Sequence, residues 1–179
     1  MNSVASWLLA SALPMLGISC TSTPPQLVIS EMEHVLCVPA AVHIVAGDTA
    51  SNLAELVLAY YGAELDVGLL DRPLPAQDVS AEQLKSLFMA HGLCAFVIQG
   101  DFGNGPTSLF ANLVAGRPVL AQLENDRGLR RWHLLIGFDR RREVIIVEDP
   151  LARVQALPIE TFSREWGRTG RISVLAAPG

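Results

Sequence analysis

Charge is scarce in this chain. Only 17% of its 179 residues are Asp, Glu, Lys or Arg, where about a quarter is usual for a soluble domain. Basic charge is scarcest: 13 Lys and Arg face 18 Asp and Glu, for a formal charge of -5. No overall basic field exists to draw in a phosphate backbone, so no nucleic-acid partner is expected. Cysteine is also rare. Three residues, Cys20, Cys37 and Cys94, cannot build a disulfide scaffold. No complete zinc signature of the usual spacing occurs, so neither a metal nor another cofactor is expected. Internal repeats and low-complexity stretches are missing. What remains is apolar: half the residues are hydrophobic, which argues against global disorder. The length suits one domain with a sizeable core.

The first 19 residues carry no charged side chain, and residues 7–18 form an almost unbroken apolar run around Pro14. A membrane-spanning helix needs about 20 apolar residues, whereas a shorter run suits the centre of an export signal. Cys20 follows Leu16-Gly17-Ile18-Ser19, a degenerate form of the bacterial lipoprotein cleavage box in which Cys20 would accept the lipid. The expected division is a signal over 1–19, a linker over 20–27 and a single domain over 28–179. The expected location is the bacterial periplasm, with a lipid on Cys20 as the sole membrane link. The alternative is a buried first helix. In an oxidising compartment Cys37 and Cys94 can pair; otherwise they are two buried free thiols.

Residues 26–45 are rich in Val, Ile and Leu and read as an extended lead-in. Leu53, Leu56, Val57 and Tyr60 then recur at helical spacing, which predicts a helix over 49–61. Asp48 or Thr49 can cap it and Gly62 can end it. Ser80, with Gln83 three residues later, opens a second helix over 80–91 whose stripe is Leu84, Leu87 and Phe88. A strand over 94–99 and a third helix over 107–115 follow. Residues 118–123, 132–138, 144–147 and 172–175 are short apolar or alternating runs, which read as an antiparallel sheet. A short helix over 158–166 starts at Pro158. Helices first and strands second give an α+β fold.

His133 stands on the alternating run over 132–138. Strict alternation puts Trp132, Leu134, Ile136 and Phe138 on one face and His133, Leu135 and Gly137 on the other. Asp149 follows the next strand, before Pro150. Two neighbouring strands can bring it beside His133, where a carboxylate would orient the imidazole and stabilise its charged form. The bland alternatives are a structural histidine and an Asp-Pro turn. Residues 100–105 (GDFGNG) have the glycines of a phosphate loop without its Lys, and read as a turn. Arginines cluster over 127–131 and 140–142, as solvated loops or as the wall of an acidic-peptide path.

The ordered set of motifs resembles the bacteriocin-processing (double-glycine) peptidases, papain-like enzymes of cysteine-peptidase family 39. It comprises a helix ending Tyr60-Tyr61-Gly62, then Gly116-Arg117-Pro118-Val119, Trp132-His133, Gly137-Phe138-Asp139 and Glu148-Asp149-Pro150. Leu157-Pro158, Thr161-Phe162 and Glu165-Trp166 resemble the exported branch. The resemblance implies a papain-like fold with N-terminal helices packed on a C-terminal antiparallel sheet. It also implies His133 and Asp149 as two members of a catalytic triad. The third member departs from the family. The nucleophilic Cys position falls on Thr49, the following Gly is Ala50, and the oxyanion-holding Gln falls on His43. A thiol with a pKa near 8.5 is readily lowered to a thiolate at a helix N-terminus. A threonine hydroxyl is not, and must lose its proton during attack. Losing an oxyanion donor lowers the rate on the order of 100-fold or more. Thr49 is equally well a helix cap. The expected function is a catalytically degenerate domain that binds a peptide or exported protein segment in the former active-site groove. The resemblance supplies the precedent, since some transporter-linked relatives have lost the Cys and retain substrate binding. The alternatives are an active peptidase using Thr49 or a displaced nucleophile, and a structural subunit of an envelope or secretion assembly.

Overall fold

A computed structural model describes residues 33–37, 50–66, 79–103, 105–150 and 153–179. Seven strands occur among them: β1 (His34–Val35), β2 (Leu93–Gln99), β3 (Val119–Glu124), β4 (Arg130–Asp139), β5 (Val144–Glu148), β6 (Val154–Pro158) and β7 (Ile172–Pro178). Four helices accompany them: α1 (Ala50–Tyr60), α2 (Ala81–Ala90), α3 (Leu109–Val114) and α4 (Ile159–Arg168). The strands form one sheet in the order β2-β7-β3-β4-β5-β6, and β1 pairs with the end of β4 that β3 does not reach. Every strand pairing is antiparallel. The α+β architecture expected from the sequence is the one observed. Strand β6 was not expected: it follows Asp149-Pro150 closely and is largely exposed, so no alternation marks it.

Helix α1 is buried along most of its length, Glu55 included. It is therefore a core element, and α2 packs beside it. Ser80 and Gln83 close the capping box read from the sequence. The Ser80 hydroxyl accepts from the Gln83 N–H at 3.2 Å, and the Gln83 side chain accepts from the Ser80 N–H at 2.8 Å. Leu84, Leu87 and Phe88 are the buried stripe of α2. Just before α2, the Val79 carbonyl accepts from the Trp132 indole at 2.9 Å, which ties the helix start to the sheet. Helix α4 buries Phe162 and Trp166, four residues apart on one face. The Trp166 indole donates to the Ser173 hydroxyl of β7.

The alternation read for β4 does not run its whole length. The β4–β5 register passes from Leu135↔Val147 to Gly137↔Ile146, a bulge that inserts one residue into β4. Phe138 then pairs with Ile145, which shares a face with Val147. Phe138 thus stands on the face of Leu135 and His133, not that of Trp132. There it meets Phe110 of α3 at 4.6 Å between ring centroids. Gly137 is required at this point. A Cβ on it would lie 2.4 Å from the His34 carbonyl oxygen and 2.9 Å from the Val35 Cα, so a side chain would push β1 off the sheet.

Cys37 and Cys94 are free thiols, and both are exposed, contrary to the burial expected for unpaired cysteines. Residues 1–19, Cys20, the 20–27 linker, His43 and Thr49 lie outside the described residues, as does most of the 26–45 lead-in. No helix among the described residues is long and apolar enough to cross a membrane.

Candidate functional site

The sheet register brings His133 and Asp149 together. Leu134 pairs with Glu148, so one further step of the same antiparallel ladder sets His133 opposite Asp149. Directly opposed residues have Cβ atoms about 4.5–5.5 Å apart and share a face. On that face the row continues through Ala121 of β3 to Ser173 of β7, which α4 covers. His133 is half-buried. Asp149 is 5% exposed.

The two residues line a cleft of about 210 Å³ with Arg131, Arg153, Gln155 and Glu165. Arg131 lies two residues before His133 on the same face of β4. Glu165 comes from α4, and burial pushes its carboxyl above the ordinary glutamate value. The volume is below the roughly 300–1,000 Å³ of small-molecule pockets. It has room for a side chain or two of an extended chain. A larger groove of about 680 Å³ runs between the β4–β5 turn and the start of α4, but contains no histidine or cysteine.

Asp149 is held in place by β6. Its backbone N–H donates to the Arg153 carbonyl at 3.1 Å. Its carboxylate accepts from the Arg153 N–H at 3.1 Å, from Arg153 Nε at 2.8 Å and from Gln155 Nε2 at 3.2 Å. Arg153 Nη2 lies 2.6 Å from the same carboxylate. The neighbouring Glu148 is raised above the ordinary glutamate value by burial first and by the Asp149 charge second. Helix α1 reaches this corner through Asn52. Its buried amide donates to the Pro150 carbonyl at 2.8 Å, which pins the start of α1 to the residue after Asp149. Ala50, which follows Thr49 in the chain, opens α1.

A histidine faced by a carboxylate can accept a proton and stabilise the resulting charge. Among the described residues, no cysteine lies on the strands or helix that frame this pair. No cysteine occurs between Val38 and Leu93. Cys94 lies on β2, three strands from β4, or about 14 Å at the usual strand spacing. The row through His133 meets β2 at Ile98, four residues or about 13 Å from Cys94. The two are therefore on the order of 20 Å apart. Cys37 is exposed, two residues past the end of β1.

The remaining histidines among the described residues have structural bonds. His34 Nε2 lies 2.7 Å from the Leu113 carbonyl oxygen, and its ring stacks on Phe138. His91 Nε2 accepts from the Asp66 N–H at 2.9 Å. Among the described residues no cluster of three His, Cys, Asp or Glu is arranged to hold a metal. Within the GDFGNG stretch, the Asp101 carboxylate accepts from the Gly103 N–H at 2.7 Å and closes a local turn over 101–103. Of the arginine clusters, Arg131 enters the cleft. Arg140 lies over the Phe110 and Phe138 rings, and Arg142 approaches Asp139 at 3.6 Å.

Sequence reading missed Asn52, Arg153, Gln155 and Glu165. Arg153, four residues after Asp149, carried the clearest signal, since an arginine soon after an Asp-Pro can turn back onto the carboxylate. Asn52 carried none: its acceptor is 98 residues away in the chain.

No protein-family model and no curated protein matches this chain. Solved structures do. The peptidase domain of Streptococcus ComA, a bifunctional ABC transporter involved in quorum sensing, is 21% identical with a TM-score of 0.60, over 82% of this chain and 100% of that one. A C39-like peptidase from Bacillus anthracis is 15% identical with a TM-score of 0.58, over 84% of this chain and 96% of that one. A double-glycine-motif protease from an AMS/PCAT transporter, solved with its leader peptide, is 17% identical with a TM-score of 0.56, over 82% and 96%. The chain has the fold of C39 peptidase domains, an α+β papain-like fold.

Proposed function

We propose that this chain is a catalytically degenerate peptidase-like domain that holds an extended peptide or protein segment in the cleft over His133 and Asp149 without cutting it. One observation carries the reading. The sheet opposes His133 and Asp149 in a cleft whose corner is pinned to the start of α1 through Asn52, and counting back from Tyr60-Tyr61-Gly62 puts Thr49 at the position of the family's thiol. The cleft volume fits side chains of an extended segment, and Arg131 and Gln155 offer it hydrogen-bond donors. That a protein of the same fold was solved with a leader peptide supports a peptide as the ligand. The domain acts outside the cytoplasm, tethered through a lipid on Cys20, as the uncharged residues 1–19 and the box before Cys20 suggest.

The test is cleavage and binding on the same proteins. The full chain, Thr49→Ala and Thr49→Cys are incubated with a mixed peptide library that includes Gly-Gly leader sequences, and products are read by mass spectrometry. The full chain is expected to bind a subset of peptides and cleave none, and Thr49→Cys to gain cleavage that His133→Ala removes. Cleavage by the unsubstituted chain that disappears in Thr49→Ala would overturn the degenerate reading and establish a threonine-dependent peptidase. Binding that is unchanged by Thr49→Trp would remove the groove from the account. Radiolabelled palmitate incorporation that is lost in Cys20→Ala checks the tether, and no incorporation refutes it.

A further inference from the structure

Asp149 faces two groups that compete for its charge. His133 stands opposite it on β4, and Arg153 holds it from β6. In a triad the carboxylate is useful because its negative charge favours the imidazolium. Here a guanidinium lies 2.6 Å from one carboxylate oxygen through Nη2 and donates to it through Nε at 2.8 Å. The Arg153 N–H and the Gln155 amide add donors to the same carboxylate. Asp149 is almost fully buried, so its carboxylate relies on these donors in place of water. The Arg153 side chain itself is 62% exposed, which leaves its cation hydrated while its inner edge stays on Asp149.

The geometry points to Arg153 as the positioning residue that sets how strongly Asp149 acts on His133. It turns Asp149 toward β6 and offsets its charge, which weakens the support that the carboxylate gives to a protonated His133. The site thereby departs from a working triad at a second place, independent of position 49. The other charged groups that share the cleft are Arg131 from β4 and Glu165 from α4. The inference takes its interest from the proposed binding site, but it rests only on the placement of these three side chains and needs no peptide.

The test is the pH titration of the histidine rings by NMR in the full chain, with His133 assigned from the signal missing in His133→Gln. Arg153→Gln is expected to raise the His133 midpoint by roughly half to one pH unit, because a carboxylate relieved of its counter-cation favours imidazolium. Arg153→Lys, which keeps the charge, is expected to stay close to the parent. Arg153→Gln is expected to shift His133 less when made together with Asp149→Asn, since most of the effect passes through that carboxylate. An Arg153→Gln midpoint within about 0.2 unit of the parent would overturn the inference. So would an equal shift in the Asp149→Asn background, which would show Arg153 acting on His133 directly. Arg153→Met keeps the alkyl stem and supplies the same comparison if Gln disturbs the strand. Because no ligand enters this measurement, failure to bind peptides and failure of this inference are separately visible.

Discussion

Replacing Asn52 by alanine tests whether the corner of the site is held from α1. The Asn52 amide is buried and donates to the Pro150 carbonyl at 2.8 Å across 98 residues of chain. A neutral hydrogen bond of this kind contributes about 0.5–1.5 kcal/mol net, and an acceptor left buried without its donor raises the loss to about 1–3 kcal/mol. Alanine is a better helix former than asparagine, which returns a few tenths of a kcal/mol at this position. The expected loss is therefore about 1–2.5 kcal/mol. For a domain of this size that is a fall in Tm of roughly 2–10 °C. Urea unfolding followed by tryptophan fluorescence reads it directly, with the midpoint falling and the slope unchanged. Asn52→Asp is the control. It is nearly the same shape, cannot donate when ionised, and sets a carboxylate against a carbonyl oxygen, so it should lose at least as much as alanine. A loss below about 0.5 kcal/mol in both variants would show that the Pro150 carbonyl does not depend on Asn52, and the tether between α1 and the Asp149 strand would have to be abandoned.

Two further outcomes follow from the packing and the charges. Gly137→Ala places a Cβ within 2.4 Å of the His34 carbonyl oxygen, so it should lower stability by about 1–3 kcal/mol and release β1. Hydrogen exchange of the Leu36 N–H, which donates to the Ile136 carbonyl, reads that release, and unchanged protection would refute it. Glu148 is raised above its ordinary value by burial, so its ionisation opposes folding. The penalty is absent below the unfolded-state value and grows as pH rises through the folded-state value. Glu148→Gln should therefore gain stability relative to the parent at neutral pH and match it near pH 3. Parallel curves across the acid range would contradict the assignment.

Much of the fold was legible because short-range rules decide it. Ser80 and Gln83 announce α2 through a capping box that needs no tertiary partner. Leu84, Leu87 and Phe88 mark the face it buries, and Phe162 and Trp166 do the same for α4. The path of β4 beyond Leu135 was not legible. Strict alternation assigns Phe138 to the Trp132 face, and only the bulge that makes room for β1 at Gly137 moves it to the other. Strand β6 escaped notice because it lies at the sheet edge, half solvated, where alternation of apolar and polar residues is not required.

The sequence by itself determined the class of fold and the positions of most helices and strands, and it singled out the histidine and carboxylate that face one another. These follow from residue type and spacing, which act locally along the chain. Only the tertiary structure decided which groups surround that pair. Asn52 reaches Pro150 because α1 packs against the sheet, and Glu165 enters the cleft because Trp166 anchors α4 over β7. Arg153 takes hold of Asp149 because β6 returns alongside β5. Such contacts join residues far apart in the chain or hidden in a turn. They depend on where whole elements come to rest, and a pattern of neighbouring residues cannot encode that.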